Sequence, residues 1–235
     1  IPEPIPALTG EYIPQIEVGG HYYWVRLLSY LDGEPLTRQK YLAPEVVASF
    51  GDVVARIAGG LKDFRHSGLE RELQWDLRRA GPVALHLLKS VADQKQRDRI
   101  AKAMIMAVKR LQPLASELRI QCIHHDITDD NVVATPNATG RLMPDGVIDF
   151  GDVLYGWLVA DLAVTCAALL HHADGDPCFI LPAVKAFHAR YPLNEAELKA
   201  LWPLIVARAG VLVASSEQQL SIDPDNDYVL GNIEH

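Results

Sequence analysis

The sequence is predicted to fold as an α+β protein, a mostly helical body that carries one small hairpin and is preceded by another. Three observations point there. Aromatic and branched residues flank Gly19-Gly20 near the start. Apolar residues recur at three- and four-residue spacing through most of residues 44–220. Interrupting them, two short apolar runs at 132–135 and 146–150 stand on either side of a turn-rich stretch, 136–145. Alternation marks strands and a 3.6-residue period marks helices, so the class follows from where one gives way to the other.

Taken in order, the first twenty residues hold Pro2, Pro4, Pro6 and Pro14 and are extended, because proline keeps its predecessor out of the helical region. Residues 12–17 and 21–30 read as two strands joined across Gly19-Gly20. Residues 44–64 read as a helix whose Val46, Val47, Phe50, Val53, Val54, Ile57, Ala58 and Leu61 form one buried stripe. In 69–79, a shorter helical or turn segment, Trp75 beside Asp76 is either a packing residue or part of a cation-binding wall. Residues 93–118 form a long amphipathic helix with Ile100, Met104, Ala107, Val108 and Leu111 inward, bent or ended by Pro113. The apolar run 153–170 reads as a buried helix in which Asp161 needs a partner. Two further helices cover 177–191 and 194–220, the second capped by Asn194, with Glu195 and Glu197 in its first turn and a kink at Pro203. The tail 223–227 is a polar turn.

With 235 residues, 49% of them hydrophobic, the chain can bury a core as one large domain or as a domain with an appendage. A net charge of −8 argues against nucleic acid as a partner. Cys122, Cys166 and Cys178 show no CxxC spacing and lie in apolar surroundings, so they read as reduced core residues of a cytoplasmic protein. No leader and no bilayer-spanning run is expected, hence no membrane partner.

The chemistry concentrates in residues 120–152. Apolar runs lead up to His124-His125-Asp126, follow Asn131, and precede Asp149 in Val147-Ile148-Asp149-Phe150-Gly151-Asp152. A hairpin between these runs would return Asp149 to Asn131, placing Asp126, Asn131 and Asp149 at one mouth. Phosphoryl transfer from a nucleotide asks for that set. One carboxylate orients the attacking hydroxyl and takes its proton, while an amide oxygen and a second carboxylate hold magnesium against the triphosphate.

His-x-Asp-x-x-x-x-Asn followed by Asp-Phe-Gly after a hairpin is the protein kinase-like order of those parts. The segment resembles the aminoglycoside phosphotransferase and choline kinase family, whose catalytic loop commonly reads His-Gly-Asp and whose metal-binding Asp lies in an Ile-Asp-Phe-Gly-Asp type segment. Within the family it is most similar to the hydroxylysine kinase-like branch. His125 departs from the usual Gly. The resemblance implies a protein kinase-like fold, with 1–31 as a remnant of the N-terminal lobe sheet and hinge, and 32–235 as the helical C-terminal lobe. It implies Asp126 as the catalytic residue, Asn131 and Asp149 as Mg2+ ligands, and Ser29, Tyr30, Leu31 and Ile148 against the nucleotide, ATP or GTP. An ordinary strand-to-helix turn explains residues 29–35 equally well. Asp152, Trp75 and Trp157 would face the acceptor, and His124 and Asp161 would support the loop. The acceptor would be a small hydroxylated, amine-bearing molecule, an amino alcohol or hydroxy amino acid, and Asp129 and Asp130 suit its ammonium group.

A phosphate-covering loop and a strand Lys have no match. Gly19-Gly20 and Gly59-Gly60 lack the setting, and no Lys precedes Ser29. The expectation is a fragment of a longer protein rather than a degenerate relative, with exposed strand faces that would invite dimerisation. Two other functions stay open. One is a kinase-like binding or regulatory module without turnover. The other is a metal-dependent phosphohydrolase that adds His171-His172 to His124, His125, Asp126 and Asp149, although that pair reads as a solvent-facing helix end.

Overall fold

The structure, a computed structural model, describes residues 1–226 and residue 229. Four short strands open it: β1 (Pro4–Ile5), β2 (Gln15–Val18), β3 (His21–Trp24) and β4 (Leu27–Leu28). β2 and β3 pair across Gly19 and Gly20, at φ 61° and 80°, the backbone that a two-residue turn of matching twist requires. The strand predicted over 21–30 is broken in two, because the chain changes partner. Val25 still donates to Pro14 O, but Leu27 and Leu28 pair with β1 and the Ser29 amide donates to Glu3 O. All four strands are exposed on their whole length.

Burial begins at Leu36, just past β5 (Glu34–Pro35). Gly33, at φ 138°, lies against β7 (Val132–Pro136) so closely that a Cβ would sit 2.5 Å from the Val133 side chain. This explains why a residue without a side chain stands where the chain enters its body. β5, β7 and β8 (Leu142–Val147) form a three-stranded antiparallel sheet, and β6 (Ile120–Ile123) pairs with β9 (Leu154–Trp157).

Among the described residues, six α-helices surround these strands. α1 (Pro44–Leu61) buries the predicted stripe except Ile57 and Leu61, which are half-buried, and starts with proline at its first position, where the missing N–H has no partner to lose. Residues 69–79 hold no α-helix, only single turns at Ser67–Leu69 and Leu77–Arg79. α2 (Ala80–Leu87) lies in a stretch to which the sequence pattern assigns no element, and it contains Gly81 and Pro82. Both fall in its first turn, where proline is tolerated. α3 (Gln94–Leu111) is capped by the Asp93 carboxylate, which accepts from Lys95 N at 2.9 Å, and it ends before Pro113. α4 (Leu158–Leu169) is almost wholly buried. The predicted helix over 153–170 is therefore corrected at its start, where residues 154–157 are a strand. A continuous apolar run does not distinguish the two by period.

α5 (Leu181–Arg190) lies across α1, and α6 (Glu195–Ile222) packs on α2, α3 and α4. Asn194 caps α6 reciprocally with Glu197, and the helix runs on through Pro203. By length and composition α6 could cross a membrane, contrary to the expectation that no run would, but 61% of its most apolar stretch is buried within the fold. Cys122 and Cys166 are buried while Cys178 is exposed, which corrects its placement in the core; all three are unpaired. Residues 223–226 form the turn expected there, and Asp227 lies outside the described residues.

Candidate active site

β6 delivers the chain to His124 and His125, both fully buried. His125 has φ 71°, the left-handed region that favours glycine. The position thus has a backbone that would suit glycine while carrying a large side chain. Asp161, in the first turn of α4, holds the loop from below. Its Oδ2 accepts from His124 N at 3.1 Å and its Oδ1 from His125 N at 2.6 Å. Burial pushes the Asp161 carboxyl up to about 7, against the two backbone donors that favour the charged form. Thr165, one turn along α4, donates to Ile127 O at 2.6 Å.

The His124 ring ties the loop to the second half of the site. Nε2 lies 3.1 Å from Ile148 O and Nδ1 accepts from Asp126 N at 3.3 Å, so a neutral ring with its proton on Nε2 satisfies both. Burial pushes its pKa down to about 4. Phe150 meets the ring edge-on at 4.5 Å.

The hairpin of β7 and β8 returns the chain as the pattern required. Val132 pairs with Val147, and Ile148 N donates to Asn131 O at 2.9 Å. Asp149 follows at φ 55°, exposed, with Oδ1 accepting from Gly151 N at 3.0 Å. Asp126 is half-buried. Its Oδ2 accepts from Asn131 Nδ2 at 2.8 Å, and the same nitrogen reaches Asp126 O at 2.9 Å. With its amide nitrogen so committed, Asn131 has its amide oxygen to offer a cation. That oxygen and the carboxylates of Asp149 and Asp152 are oxygen donors of the kind magnesium takes. Desolvation raises the Asp126 pKa, Arg208 opposes it, and the charges of Asp152 and Asp149 add to it, which places all three acids within electrostatic reach.

Other candidates fall elsewhere. Leu31 packs on Gly146 in β8, where a Cβ would lie 2.8 Å from Leu31 Cδ1, so residues 29–31 approach the strand that leads to Ile148. Ser29 accepts from Glu3 N, and the Tyr30 side chain is exposed. Trp157 is buried and pairs with Ile120, at the end of the β6–β9 ladder opposite His124, so it does not face the mouth. Trp75 meets a cation of the protein's own, the Arg208 guanidinium, 4.8 Å from its ring centre, while Asp76 is taken up by Arg78 at 2.6 Å. His172 is not solvent-facing. Its Nε2 lies 2.8 Å from Asp129 Oδ2, with both side chains buried, which removes Asp129 from any acceptor. Among the described residues no three His, Cys, Asp or Glu side chains converge as a metal cluster, which leaves the hydrolase reading without its ligand set.

Two residues of the site were missed by sequence reasoning. Arg208 on α6 pairs through Nη2 with Asp126 Oδ1 at 2.9 Å. Arg71 reaches from the loop before α2 to Gly151 O and, at 2.8 Å, to Val153 O, strapping the turn that follows Asp149. Neither lies near a motif, and no local signal announces them.

A buried His-x-Asp loop on an apolar helix, joined through Asn131 to a hairpin ending in Asp-Phe-Gly, defines a protein kinase-like phosphotransferase fold. The sequence profile of the phosphotransferase enzyme family (APH) matches residues 4–201. The chain belongs to that family. It is 25% identical over 242 residues to a hydroxylysine kinase of Danio rerio, a match covering 96% of this chain and 65% of that protein. It is 25% identical over 217 residues to the Bos taurus hydroxylysine kinase, covering 88% and 57%. The chain thus spans less than two thirds of these relatives. Among solved structures, the amicoumacin kinase hAmiN in complex with AMP-PNP, Ca2+ and Ami shares the fold at TM-score 0.64 and 15% identity, over 93% of this chain and 65% of that one. An aminoglycoside phosphotransferase from Alicyclobacillus acidocaldarius does so at 0.62 and 17%, over 99% and 71%.

Proposed function

We propose that the protein is a small-molecule kinase that moves the γ-phosphate of ATP or GTP to a hydroxyl of an amino alcohol or hydroxy amino acid. The observation that carries this reading is the meeting of Asp126 with Asn131 at 2.8 Å, one backbone hydrogen bond from the strand that ends in Asp149. Asp126 orients the acceptor hydroxyl and takes its proton as the oxygen bonds to phosphorus and the bond to the bridging oxygen breaks. Asn131 and Asp149, with Asp152 beside them, would hold Mg2+. When bound, that ion neutralises charge on the transferring phosphoryl group. His124 and Asp161 act on the loop alone, by fixing its backbone.

Residues 1–31 belong to the nucleotide side in this reading, with 29–31 as a hinge whose backbone groups meet the base. The seat of Leu31 on β8 supports this. The hydroxylysine kinases among the relatives, and the aminopropanol kinase and aminoglycoside phosphotransferase among the structural neighbours, favour an acceptor that carries an amine. A thermal-shift screen of the full-length protein against ATP and GTP with Mg2+, followed by acceptors added singly, tests the proposal. A Mg2+-dependent nucleotide shift that Asp149→Asn removes is the expected result. Its absence with both nucleotides would rule the proposal out.

A further inference from the structure

Asp126 is gripped on both oxygens, and one grip comes from 82 residues away. Arg208 projects from α6, where its neighbours Ala207 and Val211 are buried apolar residues, and it is itself buried. A guanidinium there is costly to desolvate, and packing alone would be served by Leu or Met. Its charge meets Asp126 Oδ1 at 2.9 Å, while its plane is backed by Trp75, 4.8 Å from the ring centre. Asn131 takes Oδ2. A carboxylate held at both oxygens cannot turn, and a proton acceptor in phosphoryl transfer works only when its lone pairs face the incoming hydroxyl.

We propose that Arg208, steadied by Trp75, is a positioning residue for Asp126: it fixes the carboxylate plane against α6 and leaves the remaining lone pairs to the acceptor hydroxyl. This rests on the phosphotransfer reading. Arg208 neither gains nor loses a proton in the step. The hydroxyl proton goes to Asp126, the hydroxyl oxygen bonds to the γ-phosphorus, and the nucleoside diphosphate leaves with the bridging oxygen. The guanidinium suits this task better than an ammonium, because a planar fork stacked on an aromatic ring has one orientation where a point charge has many.

The test is steady-state kinetics on the full-length protein with saturating Mg2+-nucleotide and its best acceptor. Arg208→Ala is expected to lower kcat by about 10²-fold, the scale of a misplaced general base, with nucleotide KM unchanged. Arg208→Lys recovers part of the loss, and Trp75→Leu loses more than Trp75→Phe. Added guanidinium ion restores kcat in Arg208→Ala and does nothing for Asp126→Asn. In the Asp126→Asn background, Arg208→Ala adds no further loss, since two residues acting as one unit are not additive. A kcat in Arg208→Ala equal to the parent's, or a loss that guanidinium does not restore and that adds fully to Asp126→Asn, overturns the positioning role and leaves the kinase reading standing. Asp126→Asn as active as the parent, or a parent that phosphorylates no acceptor, overturns both. Should Arg208→Ala fail to fold, Arg208→Lys and Trp75→Leu carry the same comparison.

Discussion

His125 is the residue at which the loop pays most for its shape. Its backbone is left-handed, its ring is buried, and among the described residues neither ring nitrogen has a hydrogen-bond partner. Burial holds its pKa at about 4, as it does for His124, against an ordinary 6.5. An unfolded chain binds protons at both rings below 6.5 while the folded one does not, so these two groups withdraw stability as pH falls from 6.5 toward 4. Asp161 acts in the opposite sense, because its raised pKa keeps a proton on the folded state that the unfolded carboxyl, near 3.8, has lost. Replacing His125 by Gly removes one proton from this balance. Its stability, followed by urea unfolding at several pH values, should decline less on acidification than the parent's, by up to about 1.4 kcal/mol per pH unit. Equal slopes would mean that His125 is protonated in the fold. His124, Asp126, Asn131 and Asp149 were legible in the sequence because one contiguous pattern holds them. Arg208 and Arg71 were not, because their partners lie 82 and 80 or more residues away and a lone arginine carries no local signal.

Elements were legible where period and cap agreed. α1, α3 and α6 kept their predicted starts within a residue, each announced by a first-turn Pro, Asp93 or Asn194. β9 was lost inside an apolar run that α4 continues, and only pairing with β6 distinguishes it. Helix crossings are less visible still, since they depend on what one residue type permits at one point. At Gly51, on the face of α1 against α5, an added Cβ would lie 2.0 Å from Ala183 O and 2.7 Å from Ala183 Cα. These are backbone atoms and cannot step aside. Gly51→Ala is therefore expected to force the two helices apart and cost about 2–4 kcal/mol, in the range of overpacked cores. Gly60→Ala, in the same helix with open space around it, should gain up to about 1 kcal/mol from helix propensity. Melting the two variants side by side checks both, and a neutral Gly51→Ala would show that the α1–α5 contact can yield to a methyl group.

At the scale of the molecule, the proposed division at residue 31 rests on burial, which starts only at Leu36. No hydrophobic residue before Leu36 is buried, and β1 to β4 pair only among themselves. Their exposed Tyr22, Tyr23 and Trp24 add nothing to the core that α1, α4 and α6 share with the two inner sheets. A layer of helices around strands can fold on that core alone. Half-buried Leu31 packs on Gly146, and the loss of that burial is worth about 1–2 kcal/mol. Deleting residues 1–31 should therefore leave a cooperatively unfolding protein with a urea midpoint only slightly lowered, while the nucleotide-dependent thermal shift expected of the proposed hinge disappears. Far-UV circular dichroism through the urea transition checks the first outcome and the Mg2+-nucleotide titration the second. Loss of cooperative unfolding would mean that the opening strands support the helical body. A full nucleotide response from 32–235 would mean that the base is held elsewhere.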